Sequence, residues 1–545
     1  MAGVDPAAVY ADLARRTVWE AARRTAERLP EKLAVVDGER RLTFGGMVRQ
    51  AEQLSAGLRG LGLTRGSVAA VYLPNCLELF VLFYALQRLG VVVAWINPAY
   101  REREARFILE SSGARAVFLS DEWQGYDYVE AVLGLDGLPD LEYVVAVRGR
   151  PAPRQCDPRV RPLDELFAAE GDRGQPGVGP EDLSMLIYTS GTTGRPKGAT
   201  ICQSQAVRAG WSYSLGVNAT EDDVFIGFLA MSHSYGCGAH LIQPVLIGAT
   251  VAILDHFTPE RAFHLIEEER VTLQLAAPAH YLLELNHPAR PRYDLSSLRA
   301  GLIAGQIAPA GLIRRVQEEM GIPISSFLGS SEVGPGLSII LPYPSPLEVR
   351  ERYIGYPLEG TGARVVDPAT GRDLPPGEPG ELLLRGWHVT RGYWRNPEET
   401  DRQLRAGWLH TGDLVARDDN GCFRILGRLK DWINRGGFKI IPSEIEALVA
   451  EHPGVVEACV VGTPNPVLGE SICACVKVDG SATPLTLEGL RSFLHGKIAE
   501  FKLPDELLVL PEFPRLSGGL KVKRFGRGGV ADLAASAAEK QVLRR

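Results

Sequence analysis

The chain lacks an apolar run long enough to cross a lipid bilayer. Its most apolar stretch, residues 79–95, is interrupted by Gln87, Arg88 and Gly90, whereas a spanning helix needs about 20 apolar residues. The N-terminus also lacks the basic segment followed by an apolar one that is typical of a secretion signal. We therefore expect a protein without a membrane span that is not secreted.

An excess of basic charge is missing as well. The 59 Lys and Arg residues are outnumbered by 66 Asp and Glu residues, for a formal net charge of -7, and this composition disfavours nucleic acid as a partner. The eight cysteines are scattered, and only Cys473 and Cys475 are closely spaced, in an alternating apolar run typical of a strand. One such pair does not predict a zinc site. Scattered cysteines fit a reducing, cytoplasmic setting.

The order of apolar patterns predicts an α/β fold. A chain of 545 residues is long enough for two or more domains. Short β-rich runs alternate with amphipathic helical patterns over residues 67–119 and again over 249–276, which is typical of mainly parallel sheets flanked by helices. After Gly427 the pattern becomes shorter. In this part we predict helices at 442–451 and 485–498 and strands at 455–462 and 471–478. The predicted domains are a large N-terminal domain at 1–427 and a small α+β domain at 428–545.

Residues 188–198 form a loop dense in hydroxyl groups and glycines, Tyr-Thr-Ser-Gly-Thr-Thr-Gly-Arg-Pro-Lys-Gly. Its glycines let backbone N–H groups approach anionic oxygens, and its cations supply positive charge. The loop differs from the P-loop of NTPases, because Lys197 follows Pro196 and Gly198 stands where the hydroxyl that binds magnesium would be. It predicts a nucleoside triphosphate as ligand. The candidate phosphate ligands are Thr189, Ser190, Gly191, Thr192, Thr193, Gly194 and Lys197.

This loop and four later motifs, in the same order, resemble those of the adenylate-forming superfamily of acyl-CoA synthetases and aryl-acid ligases. The later motifs are residues 327–332 (Phe-Leu-Gly-Ser-Ser-Glu), 408–413 (Trp-Leu-His-Thr-Gly-Asp), 427–431 (Gly-Arg-Leu-Lys-Asp) and the glycine-centred segment 432–440. The resemblance covers about residues 30–530. It implies a large domain that binds ATP and an acid, and a small mobile C-terminal lid.

The resemblance assigns the nucleotide site residue by residue. It implies that Glu332 binds Mg²⁺ through a carboxylate oxygen, and that Asp413 accepts hydrogen bonds from the ribose hydroxyls. Arg428 is the implied contact for ribose and phosphate, and Lys430 occupies the hinge between the domains. On the adenine side it implies Gly305 and Leu328, with Leu328 in place of the usual aromatic residue, and it includes Ser331 among the residues that bind the nucleotide.

The remaining assignments concern the lid and the acid. The resemblance implies that Gly436 and Gly437 line the tunnel for the thiol, and that Lys439 contacts phosphate. Lys521 is the implied catalytic lysine, although Leu520 separates it from the preceding glycine, and Lys523 is the alternative. His233 lies at the position of a residue at the mouth of the acyl pocket, which we expect Ser234 and residues 333–336 to line.

The resemblance implies an ATP-dependent ligase for a small carboxylic acid. The acid is activated as acyl-AMP, with ATP and Mg²⁺, and the acyl group then passes to coenzyme A. Two alternatives stay open at this point. One is an aryl-acid ligase of the 2,3-dihydroxybenzoate kind that loads the phosphopantetheine of a carrier protein, and the other is an inactive homologue that only binds nucleotide or acid. Aromatic, alicyclic and medium-chain acids all remain candidates.

Overall fold

Helices alternate with strands along most of the chain, as the sequence predicts. This computed structural model describes residues 5–148, 157–167, 177–189, 196–309, 311–435, 438–465, 467–479, 485–495, 497–515, 522–526 and 528–542. The helices are α1 (Pro6–Leu13), α2 (Val18–Arg28), α3 (Phe44–Gly60), α4 (Leu77–Leu89), α5 (Glu102–Ser112), α6 (Tyr128–Leu133), α7 (Gln203–Ser212), α8 (Ser234–Gly236), α9 (Gln243–Ile247), α10 (Pro259–Glu268), α11 (Pro278–Leu285), α12 (Leu312–Met320), α13 (Leu347–Arg352), α14 (Pro397–Gln403), α15 (Pro442–Ala450), α16 (Leu487–Leu494) and α17 (Val530–Val542).

The described strands lie between these helices along the chain. They are β1 (Leu33–Asp37), β2 (Arg40–Thr43), β3 (Val68–Tyr72), β4 (Val92–Trp95), β5 (Ala116–Ser120), β6 (Glu122–Trp123), β7 (Tyr126–Asp127), β8 (Tyr143–Arg148), β9 (Val160–Pro162), β10 (Leu183–Thr189), β11 (Lys197–Cys202), β12 (Val224–Gly227), β13 (Thr250–Ile253), β14 (Leu273–Ala276), β15 (Ala300–Ile303), β16 (Ile324–Leu328), β17 (Ile339–Ile340), β18 (Tyr356–Pro357), β19 (Thr361–Val366), β20 (Gly380–Gly386), β21 (Leu404–Arg405), β22 (Trp408–Arg417), β23 (Phe423–Arg428), β24 (Ile433–Arg435), β25 (Phe438–Ile440), β26 (Val455–Asn465), β27 (Gly469–Val478) and β28 (Glu506–Val509).

Two large, mainly parallel sheets dominate the described part of the chain. The first has nine strands in the order β18-β17-β16-β15-β14-β12-β13-β1-β2, and the second has seven in the order β11-β10-β4-β3-β5-β8-β9. The parallel pairs connect strands that are separated by helices, which is the βαβ arrangement. The α/β fold class is therefore confirmed.

The most apolar stretch of the sequence belongs to the core of the protein. Helix α4 is buried at every position from Leu79 to Leu89, so its hydrophobic character serves packing. The polar side chain of Gln87, which interrupts this apolar helix, is hydrogen-bonded. It accepts from the Ser184 hydroxyl (2.6 Å) and from the Gln203 amide (2.8 Å). None of the described helices combines the length and the apolar character needed to span a membrane.

Two smaller five-stranded sheets follow along the chain. One contains β19 to β23, and the other contains β24 to β28, against which α15 and α17 pack. Helix α15 and strands β26 and β27 confirm the elements predicted from the sequence. The predicted helix at 485–498 was too long. Thr486 caps the start of α16 by accepting a hydrogen bond from the N–H of Gly489, and His495 has an extended backbone that ends the helix.

A buried acid lies in the core beneath the nine-stranded sheet. Glu284 on α11 is 0% exposed, and its Oε2 accepts a hydrogen bond from the side-chain amide of Gln274 on β14 over 2.6 Å. Its other oxygen has no hydrogen-bond partner among the described residues. Burial raises the pKa of this carboxyl from 4.5 to about 8, because a carboxylate in an apolar interior loses its hydration.

We predict that Glu284→Gln stabilises the protein at alkaline pH. A raised pKa means that the folded protein holds a proton that the unfolded chain releases, so Glu284 costs stability progressively as the pH rises from about 4.5 to about 8. The glutamine has no proton to lose. At pH 8 to 9 we expect the variant to gain roughly 1–4 kcal/mol over the natural protein, and this gain should shrink toward pH 5.

Thermal unfolding followed across that pH range measures the effect. Glu260→Gln, at an exposed position on α10, is the matched control, and its pH dependence should follow that of the natural protein. An unchanged pH dependence in Glu284→Gln would contradict the prediction.

Candidate active site

The carboxyl ends of five parallel strands form one edge of the nine-stranded sheet. These strands lie in the order β16, β15, β14, β12 and β13, and each neighbouring pair is parallel. Open α/β sheets bind ligands at this kind of edge, in the loops that leave the strands. Gly305 follows β15 and residues 329–332 follow β16. The structure therefore brings these two predicted segments to adjacent strand ends.

Two residues predicted on the adenine side lie at these strand ends. Gly305 has a φ of +90°, a backbone conformation that glycine adopts without the steric cost of a side chain. Leu328, the last residue of β16, is 8% exposed and packs in a hydrophobic cluster with Val333 and Ile339. Its apolar surface is therefore largely used for packing inside the protein. Ser331 is also buried.

Glu332 is held by the segment that follows strand β20. The hydroxyl of Tyr393 donates to Glu332 Oε1 over 3.0 Å, and the backbone N–H of Thr390 donates to the carbonyl oxygen of Glu332 over 2.7 Å. The Thr390 hydroxyl donates to the carbonyl oxygen of Thr200 over 2.8 Å. Thr200 lies on β11, the strand that returns from the loop at 188–198. These bonds hold Glu332 beside that strand.

The loop at 188–198 joins two paired strands. Thr189 ends β10 and pairs with Lys197 at the start of β11. The Lys197 side chain is 7% exposed, and its ammonium forms an ion pair with the carboxylate of Glu399. Sequence reasoning did not single out this acid, because nothing in its local sequence distinguishes it from Glu398. The predicted phosphate ligands Ser190, Gly191, Thr192, Thr193 and Gly194 lie outside the described residues.

Asp413 and Arg428 face each other on neighbouring strands. They are register partners on β22 and β23, and Arg428 Nε lies 2.6 Å from Asp413 Oδ1. Burial raises the pKa of the Asp413 carboxyl, Arg428 opposes this shift, and the negative charge of Glu332 adds to it. Asp413 therefore lies within electrostatic reach of Glu332. Hydroxyl donors from a ligand would stabilise such a buried carboxylate. Lys430 is exposed in the helical turn Leu429–Asp431.

The residues predicted to line the acid pocket also lie together. His233 is exposed at the start of α8, where its Nδ1 accepts a hydrogen bond from the N–H of Tyr235 over 3.3 Å. Ser234 is buried beside Gly336, since a Cβ on Gly336 would lie 3.2 Å from the carbonyl carbon of Ser234. Glycine is favoured at position 336 because its φ is +93° and because a Cβ there would lie 2.8 Å from the Tyr213 hydroxyl.

A buried aromatic cluster occupies the carboxyl ends of β12, β13 and β14. The ring of Phe228 lies 4.8 Å from that of Phe257, 4.7 Å from that of His280 and 6.4 Å from that of His240. Burial lowers the pKa of His240 to about 3 and that of His280 to about 4, so both imidazoles are neutral at physiological pH. Sequence reasoning missed this cluster, because its members are distant along the chain and only the strand order brings them together.

The glycine-centred segment belongs to the sheet formed by β24 to β28. Lys439 lies on β25 and pairs with Asn434 on β24. Three residues predicted to act in the lid lie outside the described residues, namely Gly436, Gly437 and Lys521. Their roles stay predictions.

The described residues fit a magnesium ion that is bound mainly through phosphate. Among them, no group of three or more His, Cys, Asp or Glu side chains is suited to hold a metal. Magnesium that accompanies a nucleotide needs only one or two carboxylates, because phosphate oxygens and water complete its coordination. A single carboxylate held by a hydrogen bond, such as that of Glu332, meets this requirement.

Asn75 ties the two large sheets together beside this site. It follows β3 of the seven-stranded sheet and is 3% exposed. Its Nδ2 donates to the carbonyl oxygens of Gly227 (3.2 Å), Leu229 (3.0 Å) and Leu254 (3.2 Å) at the ends of β12 and β13, and its Oδ1 accepts from the N–H of Met231 over 3.0 Å. One amide therefore positions the start of the segment that carries His233.

Comparison with known proteins agrees with this arrangement. A family model described as "AMP-binding enzyme" matches residues 22–394, and one described as "AMP-binding enzyme C-terminal domain" matches residues 444–519. The medium-chain fatty-acid–CoA ligase of Escherichia coli is 32% identical over 525 residues, which cover 95% of this chain and 90% of that protein.

Two further relatives act on aromatic acids, according to their names. The 2-hydroxy-7-methoxy-5-methyl-1-naphthoate–CoA ligase of Streptomyces carzinostaticus is 33% identical over 505 residues, covering 90% of this chain and 88% of that protein. The crystal structure of the anthranilate CoA ligase AuaEII in complex with anthranoyl-AMP has a TM-score of 0.85 and 25% identity, covering 97% of this chain and 98% of that one.

We predict that Asn75→Ala destabilises the protein and the His233 segment with it. The change removes the side-chain partner of Met231 N–H and of the carbonyl oxygens of Leu229 and Leu254, whereas the Gly227 carbonyl oxygen still accepts a hydrogen bond from Leu254 N–H. Unpaired buried polar groups are costly. We expect a loss of about 2–4 kcal/mol, measured as a lower midpoint in thermal unfolding. Asn420→Ala, in an exposed turn, is the control and should leave the midpoint unchanged. Equal midpoints for Asn75→Ala and the natural protein would refute this role.

Proposed function

Because the chain belongs to the family of AMP-binding enzymes, we propose that it is an ATP-dependent ligase that joins a carboxylic acid to coenzyme A. The structural support for this proposal is the grouping of three charged side chains. Lys197, Glu332 and Asp413 are distant in the sequence, yet hydrogen bonds and neighbouring strands bring them to one edge of the fold. A cation, a carboxylate for a metal and a buried acceptor are the groups that a magnesium–nucleotide complex requires.

In this proposal the nucleotide lies across the carboxyl edge of the nine-stranded sheet. The loop at 188–198 surrounds the phosphates, and Lys197 neutralises part of their charge. Asp413 accepts hydrogen bonds from the ribose hydroxyls, and Arg428, already paired with Asp413, lies next to the same sugar. Gly305, Leu328 and Ser331 border the adenine. The strand ends of β15 and β16 support this placement, since they bring these three residues close together.

Magnesium would be held by Glu332. When bound, the ion supplies positive charge that neutralises the phosphate oxygens. Tyr393 orients the Glu332 carboxylate by donating a hydrogen bond to Oε1. The backbone bond from Thr390 holds the main chain at the same position.

The acid would approach from the side of His233 and Ser234. Its carboxylate attacks the α-phosphate of ATP, which forms acyl-AMP and releases pyrophosphate, and the thiolate sulfur of the acceptor then displaces AMP. Buried aromatic and imidazole rings at the ends of β12 to β14 support an apolar acyl group. Relatives named for medium-chain and for aromatic acids leave both classes as candidates.

We include a C-terminal lid at residues 428–545 in the proposal. Arg428 ends strand β23 of the sheet formed by β19 to β23, and the sheet formed by β24 to β28 begins at Ile433. Lys430 therefore lies in the short connection between these two sheets. Within the lid we assign Gly436 and Gly437 to the thiol tunnel, Lys439 to a phosphate contact and Lys521 to the reacting α-phosphate and carboxylate. Coenzyme A is the proposed acceptor because the relatives are named CoA ligases. The buried free cysteines among the described residues support a cytoplasmic location.

The test is acid-dependent exchange of labelled pyrophosphate into ATP. We expect exchange with at least one member of a panel of aromatic, alicyclic and medium-chain acids, followed by a thioester when coenzyme A is added. Lys521→Ala should lower exchange about 100-fold or more, because the ammonium that stabilises the developing charge is lost. Lys523→Ala is the matched control and should keep most of the activity.

Three results would change the proposal. No exchange with any acid would favour an inactive homologue that only binds nucleotide or acid. Exchange without a coenzyme A thioester, but with loading of a phosphopantetheinyl carrier protein, would favour the alternative acceptor. A larger loss in Lys523→Ala than in Lys521→Ala would exchange the roles of the two lysines.

A further inference from the structure

Lys197 is a buried cation that is paired with an acid. It lies at the start of β11, its side chain is 7% exposed, and its ammonium pairs with the carboxylate of Glu399 on α14, which is 9% exposed. A buried ammonium without a counter-charge would be strongly unfavourable. Glu399 therefore determines where the Lys197 ammonium is held.

Glu399 is itself held rigidly. Arg402 Nε donates to Oε2 over 2.8 Å, and Arg402 Nη2 donates to Oε1 over 2.6 Å. The Gln403 amide donates to Oε1 over 3.3 Å, and Asn396 caps the helix by accepting from the N–H of Glu399. The hydrogen bonds from Arg402 lower the pKa of Glu399 to about 2, so the carboxylate is ionised. A bidentate arginine contact restricts the rotation of this carboxylate.

Tyr393 links this ion pair to Glu332. The Lys197 ammonium lies 5.7 Å from the centroid of the Tyr393 ring, and the hydroxyl of the same ring donates to Glu332 Oε1 over 3.0 Å. The phenol is the donor in this contact, and the Glu332 carboxylate is the acceptor. The four side chains form a continuous series in the order Glu399, Lys197, Tyr393 and Glu332.

We propose that Glu399 and Tyr393 are positioning residues that hold the Lys197 ammonium and the Glu332 carboxylate at the spacing required by one magnesium–triphosphate complex. The inference rests on the proposed function, which assigns Lys197 to phosphate and Glu332 to magnesium. Neither positioning residue touches the reacting atoms. Their effect is to order the two charged groups before the nucleotide arrives, so that binding does not have to restrict their side chains.

Glu398 provides a matched control for Glu399. The two acids are adjacent in the first turn of α14, but Glu398 is exposed to solvent whereas Glu399 is buried against Lys197. Glu398→Gln and Glu399→Gln remove the same charge from the same helical turn. Only the second change removes the partner of Lys197.

Binding of ATP in the presence of Mg²⁺, measured by calorimetry, tests the role of Glu399. We expect Glu399→Gln to weaken ATP binding about tenfold, because the Lys197 ammonium loses its charged partner. Glu398→Gln should stay within about twofold of the natural protein, as expected for an exposed charge. In a Lys197→Gln background, Glu399→Gln should have no further effect, because Glu399 acts through Lys197.

The Mg²⁺ dependence of the same binding tests the role of Tyr393. Tyr393→Phe keeps the ring beside Lys197 but removes the donor to Glu332. We expect the Mg²⁺ concentration for half-maximal ATP binding to rise about threefold to tenfold, since the hydrogen bond that orients the carboxylate is lost. Tyr356→Phe, at an exposed tyrosine on β18, is the control and should leave this concentration unchanged.

Several outcomes would overturn the inference. Equal losses in Glu398→Gln and Glu399→Gln, or the same loss for Glu399→Gln in both backgrounds, would show that Glu399 does not act through Lys197. If Glu399→Gln does not fold, Glu399→Asp retains the charge on a shorter side chain, and unchanged ATP binding in that variant would also refute the role. A protein that binds ATP but shows no acid-dependent pyrophosphate exchange would refute the proposed function, while this binding series would still test Glu399.

Discussion

The hydrogen bonds of Asn75 set the geometry on which the candidate active site depends. The seven-stranded sheet carries β10 and β11, which flank the loop at 188–198, while the nine-stranded sheet carries the strand ends that lead to Gly305 and Glu332. One buried amide satisfies backbone groups at the ends of β12 and β13 from the neighbouring sheet. Buried polar groups need hydrogen-bond partners. These bonds therefore hold the end of β3 in the seven-stranded sheet against the ends of β12 and β13 in the nine-stranded sheet.

A second set of bonds joins strand β11 to the segment that carries Glu332. Thr390 connects the carbonyl oxygen of Thr200 with the backbone of Glu332. The charged groups nearby are already paired in the structure, Lys197 with Glu399 and Arg428 with Asp413. In the proposed function these paired groups would be oriented before the nucleotide arrives, so that binding would need little further ordering of their side chains.

Much of the local structure could be predicted from the sequence. The alternation of strands and helices predicted over residues 67–119 is present as β3, α4, β4, α5 and β5. It could be predicted because the spacing of apolar residues follows the repeat of the local backbone. The predicted helix at 485–498 was longer than α16. Thr486 caps the start of α16, and the extended backbone of His495 ends the helix. Asp413 was identified from its motif, but its pairing with Arg428 depends on the register of β22 and β23.

The sequence by itself determined the α/β class and the motifs that make the loop at 188–198, Glu332 and Asp413 candidates for a nucleotide site. Glycines, hydroxyl groups and acids have the same chemistry in any fold, so their pattern is visible without the structure. Only the tertiary structure decided which partners hold these groups. Lys197 and Glu399 are separated by 202 residues, and Asn75 and Leu254 by 179. Such contacts follow from strand order and burial, and no local pattern distinguishes Glu399 from Glu398. The physical reason is that a buried charge or amide must find a partner, and the fold determines which partner is within reach.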